Sequence, residues 1–93
     1  MKQTERIEQM EAYLNQATKA IADLNEALSQ YIDAVPAIDA IKEYYSSPLW
    51  KRDFRDDENG KFPESLRRGV LSEDSIYNML EADDDLRSRL LTI

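Results

Sequence analysis

Carboxylates are the side chains this sequence holds in numbers that could do chemistry. Nineteen Asp and Glu stand against 12 Lys and Arg, for a net charge of −7, and there is no His and no Cys. Those absences remove the commonest general base, the commonest metal ligand and every thiolate. What remains is oxygen chemistry: several carboxylates converging on a divalent cation beside a phosphate ester. Glu81-x-x-Asp84 has the spacing of a carboxylate pair on one helix face, and Glu5, Glu8 and Glu11 recur every three residues near the start.

Each acidic cluster fails a closer test. The all-α nucleotide pyrophosphatases join a pair like Glu81 and Asp84 to a Glu-Glu-x-x-Glu element, and no such element occurs here. The run Asp56-Asp57-Glu58-Asn59-Gly60 invites a calcium-loop reading. Aligning Gly60 with the loop glycine puts Arg55 at the first ligand position and Leu66 at the twelfth, where oxygen donors belong. No Gly-rich phosphate loop or nucleophile motif is present. No catalytic, cofactor-binding or metal-ligating residue is therefore assigned, and the chain is expected not to be an enzyme.

A second kind of chemistry is suggested between Trp50 and Arg68. Trp50, Phe54 and Phe62 interleave with Lys51, Arg52, Arg55, Lys61, Arg67 and Arg68. Rings that stack on bases beside cations that meet phosphates can hold a single strand. Yet residues 47–69 carry 5 acidic side chains against 6 basic ones. The acids cancel the field that nucleic acid needs. The plainer reading is that Leu49, Trp50, Phe54 and Phe62 plug a core, with Arg52 and Asp56 paired along a helix.

The elements that must position these residues are helical. From Ile7, apolar or small residues recur in three-four alternation: Met10, Leu14, Ala17, Ile21, Leu24, Leu28, Tyr31, Val35. This spacing predicts one long amphipathic helix. With Ile7 at position a, the g positions Tyr13, Ala20, Ala27 and Ala34 are uncharged, so the stripe is wider than a two-stranded zipper seam. Pro36 is expected to kink or break the helix, with a second piece running to Tyr45. A hairpin at this point is the lesser alternative.

Ser47 is a candidate cap for a helix opening at Pro48 and ending near Gly60. Pro63 is expected to open one helical turn, Glu64 to Arg68, closed by Gly69 in a left-handed turn. Ser72 then caps the last helix, with Glu73 and Asp74 at its positive end and Leu71 and Ile76 as a staple. That helix carries Ile76, Tyr77, Met79, Leu80, Leu86, Leu90 and Leu91 on its apolar side. Asp83-Asp84-Asp85 is either a solvated face or the cap of a fresh helical piece. No strand alternation and no internal repeat occurs.

From Trp50 to Leu80, and with the first helix over nearly the whole length, the sequence resembles the small bacterial proteins grouped as domain of unknown function 4298. The matching features are Tyr44-Tyr45, Trp50 with Asp53, Asp57-Glu58-x-Gly60, Pro63, and Arg68-Gly69-Val70-Leu71-Ser72-Glu73-Asp74 leading to Tyr77 and Leu80. That family also opens with a long Glu-rich helix. The resemblance implies an all-helical bacterial protein and no particular activity.

The expected architecture is one all-α domain over residues 1–93: a helical bundle with a long first helix and shorter helices packed on it. No run has the length of a membrane span, and MKQTERIEQM lacks the apolar core of a signal peptide, so a cytoplasmic setting is expected. The expected function is a non-catalytic protein-interaction or structural module. A carboxylate–metal enzyme on phosphate esters is the alternative, and a weak nucleic-acid binder the third reading. Trp50, Arg67, Arg68, Glu73 and Asp74 are the candidate partner contacts. Arg68 either pairs with an acid of this chain, such as Glu73 or Asp74, or meets a carboxylate or phosphate on a partner. Because the first helix looks too long for the rest of the chain to cover, self-association through it is expected, parallel or antiparallel.

Overall fold

A computed structural model of the chain describes residues 2–93. Among the described residues there are three α-helices, one short 3-10 helix and no strand: α1 (Gln3–Tyr45), α2 (Pro48–Glu58), the 3-10 turn Gly69–Leu71, and α3 (Glu73–Leu91). The class is all-α, as expected. Contacts divide the chain into two compact units, Met1–Val35 and Pro36–Ile93.

Of the kink or break expected at Pro36, the break does not occur: α1 is one helix of 43 residues that runs through Pro36 to Tyr45. A proline inside a helix removes one backbone donor, so the Ile32 carbonyl loses its regular partner. Both residues are exposed, Ile32 by 58 %, and water can take the vacated acceptor. The helix ends instead at two serines. Ser46 Oγ donates to the Lys42 carbonyl at 2.8 Å, and Ser47 Oγ donates to that of Tyr44 at 2.6 Å. These hydroxyls add second bonds to last-turn carbonyls that also accept the Ser46 and Ser47 N–H groups, at 3.2 and 3.0 Å.

Ser47 therefore closes α1, and its side chain does not cap α2. It remains the flanking residue, extended at φ −94 and ψ 158 as a residue before proline must be, and Pro48 opens the helix where a missing donor costs nothing. Gly60 ends α2. It alone among the described residues has positive φ, at 70°. Its N–H donates to the Asp57 carbonyl at 3.0 Å, and that of Lys61 reaches Asp56 at 3.1 Å, the paired bonds of a Schellman stop.

The helical turn expected over Glu64–Arg68 is a hydrogen-bonded turn and not a helix, closed by the Leu66 N–H donating to the Pro63 carbonyl at 3.1 Å. Gly69 does not adopt a left-handed conformation; it starts the 3-10 turn. Ser72 then caps α3 as expected, accepting from the Ser75 N–H at 3.3 Å. Leu71 and Ile76 flank this cap and are both buried. Helix α3 runs unbroken through Asp83-Asp84-Asp85, so no fresh piece starts there.

The core of the Pro36–Ile93 unit is Trp50, Leu71 and Ile76, with Ile41, Tyr44, Tyr45, Phe54, Phe62 and Leu80 packed against it. Aromatic rings dominate. Tyr45 meets Trp50 edge-on at 4.8 Å between centroids, and Phe54 stacks on the indole at 5.2 Å. Such pairs add to what burial alone contributes.

Candidate interaction surface

The middle of the chain is built inward. Trp50 is only 4 % exposed, and its indole Nε1–H donates to the Val70 carbonyl at 2.9 Å, which fixes the 3-10 turn against α2. Phe54 and Phe62 pack on the same core. The rings that would stack on bases are thus engaged with one another, although Leu49 lies 56 % exposed instead of in the core.

Arg68 is half-buried and clamps the loop. It donates through one terminal nitrogen to the carbonyls of Pro63 at 2.7 Å and Phe62 at 3.3 Å. Its Nε lies 2.6 Å from Asp57 Oδ1, an ion pair out of hydrogen-bond alignment. The acid it takes is therefore Asp57, in place of the expected Glu73 or Asp74. Asp56 pairs with Lys61 at 3.3 Å, in place of Arg52. Arg67, Glu73 and Asp74 are exposed. Of the five candidate contacts, these three stand at the surface, while Trp50 and Arg68 hold the unit together.

Tyr44 and Asp53 form a polar contact that spacing did not single out. They line a shallow cavity of about 300 Å³ together with Phe62, Leu66, Arg67, Val70 and Leu71. Burial, then the Asp53 hydrogen bond and charge, push the Tyr44 hydroxyl up to about 12 from 10.0. A phenol held this firmly in its neutral form is a poor base at ordinary pH.

The carboxylates do not gather. Glu81 and Asp84 are exposed on α3, and among the described residues no group of three or more acids is placed to hold a metal ion. Asp83 behaves differently: it is 6 % exposed, and Arg87 Nε donates to it at 3.0 Å. This corrects the solvated-face reading for Asp83, while Asp84 and Asp85 are exposed. On the apolar side of α3, Ile76 is buried but Tyr77 is 60 % and Leu91 87 % exposed.

The largest apolar display lies on α1 within the Met1–Val35 unit. Ile7, Met10, Tyr13 and Leu14 are 54–59 % exposed, Ile21 is 70 %, Leu24 53 %, Leu28 39 % and Ile32 58 %. These are the a, d, e and g positions of the heptad pattern. Isolated apolar residues at a surface are ordinary, but a row of eight along one helix is not.

The family model described as "Domain of unknown function (DUF4298)" matches residues 7–93. The chain belongs to the DUF4298 family. The match covers both the α1 stripe and the Arg68–Asp74 run of this DUF4298 chain. No curated protein and no solved structure matches it. No helix among the described residues of the DUF4298 chain is long and apolar enough to cross a membrane.

Proposed function

We propose that this DUF4298 domain is a non-catalytic, cytoplasmic interaction module that binds protein through the apolar face of α1 and self-associates through it. One observation carries the reading: large apolar side chains recur at heptad spacing on α1, and all but Leu28 of the eight are more than half exposed. Exposed apolar rows of this kind mark interaction sites. A two-fold dimer is the commonest arrangement that buries one. The Pro36–Ile93 unit is consistent with the same reading, because Trp50, Phe54 and Phe62 pack in its own core and Arg68 is held by its own loop. The carboxylate–metal alternative draws no support from the placement of Glu81 and Asp84, which lack converging partners.

Sedimentation equilibrium over a hundredfold concentration range tests this. The chain should move from monomer to dimer mass. Leu14→Glu, at a position 59 % exposed, should stay monomeric with the Trp50 environment unchanged. A monomer mass throughout, or a variant that associates as the parent does, overturns the reading.

A further inference from the structure

The two ways of pairing α1 with a second copy are not equivalent, and side-chain size distinguishes them. In a parallel pair, d faces d of the other copy. Ala17 would then meet Ala17, leaving an underfilled layer between Leu14 and Ile21. Reversing one helix makes a face d. The register that sets Leu14 against Leu24 also sets Ile21 against Ala17 and Leu28 against Met10. On the flank, g faces g, so Tyr13 lies over Ala27 and Ala20 meets Ala20. Ala17 is thus covered by Ile21 and Ala27 by Tyr13, so no a/d layer sets two small residues against each other, which is how well-packed cores are filled.

We propose that α1 docks on α1 of a second copy in this antiparallel register, with the two-fold axis passing beside Ala20. The inference rests on the reading of α1 as the docking face and names its occupant. One charge contact favours the opposite choice: in a parallel pair Arg6 at g would approach Glu11 at e of the other copy. Both residues are exposed, and an exposed pair of this kind is worth little and is screened by salt. A void layer at the centre of the seam costs more. The area is adequate. Eight apolar side chains offering on the order of 100 Å² each reach about 800 Å² per copy, the size of a standard stable interface.

The chain has no cysteine, so one introduced thiol labels one place. Glu5→Cys lies on the outer face of α1 and is exposed. Spin-labelled there, the dimer should show pulsed dipolar distances of about 45–50 Å: in this register position 5 of one copy lies level with position 33 of the other, an axial offset of about 42 Å at 1.5 Å per residue, to which the outer-face separation of roughly two helix diameters adds at right angles. Sedimentation of the same labelled sample fixes its mass. A dimer with labels about 20–25 Å apart, roughly two helix diameters, means a parallel pair and overturns the register while leaving the docking face intact. A monomer overturns both.

Discussion

The Tyr44 hydroxyl donates to Oδ2 of Asp53 at 2.5 Å, tying the last turn of α1 to the middle of α2. The bond joins two half-buried side chains nine residues apart; burial first, then this bond and the Asp53 charge, hold the phenol protonated.

That bond has a pH signature. The Tyr44 proton leaves near 12 in the fold and near 10.0 when the chain is unfolded. Between those values the unfolded chain holds fewer protons, so stability falls as pH rises. The contribution is whole below pH 10 and gone above about 12. Tyr44→Phe should cost about 1 kcal/mol at neutral pH and remove this part of the alkaline decline. Ultraviolet titration of the five tyrosines should show one ionising late and missing from the variant. A parent curve without that late component would show that Tyr44 is not held protonated.

The two glycines should respond with opposite sign to alanine. Gly60 sits at φ 70°, so Gly60→Ala should lose about 1 kcal/mol to strain. Gly69 has ordinary φ, and an added Cβ would meet nothing within 4 Å. Gly69→Ala should therefore gain about 0.4–1 kcal/mol by restricting the unfolded chain. Urea melts of the two variants decide it; equal losses would refute the conformational argument.

Trp50 is the residue the Pro36–Ile93 unit can least lose. Trp50→Ala should cost about 3–5 kcal/mol. A domain typically has about 0.05–0.15 kcal/mol of stability per residue, so this change should leave the unit largely unfolded at room temperature. Trp50→Phe keeps most of the volume but strands the Val70 carbonyl. Val70 is 40 % exposed, so water can replace the indole and the cost should be about 1 kcal/mol. Near-ultraviolet dichroism against urea reads both. An alanine variant with the parent's midpoint would mean that the aromatic cluster is not the core.

Features written in a few adjacent residues were legible before any coordinates. Ser72 with Leu71 and Ile76 marks the start of α3, and Asn59-Gly60 marks the end of α2, because caps and stops act within one turn. Longer-range choices were not legible. Arg68 finds Asp57 across a loop, a contact that helix spacing does not contain. Pro36 announced a kink or a break without deciding between them; a single lost bond at an exposed turn is cheaper than ending a helix whose next residues, Ile41 to Tyr45, feed the aromatic core. Gly69 read as a left-handed turn because glycine permits one, but permission is not requirement. The apolar stripe on α1 was visible as periodicity, and its exposure followed from length, since the shorter helices could not cover so long a face.

The burial of the single tryptophan gives the chain an unusual optical division. Indole emission should be shifted to the blue by its dry surroundings and should follow only the melting of the segment around Trp50, because no tryptophan lies between residues 3 and 35. Far-ultraviolet dichroism follows all of α1 instead. Heating or diluting the protein while recording both signals would measure how cooperatively the helix before Pro36 melts with the helix after it. Dilution should move the dichroism trace alone if the first stretch owes its order to association.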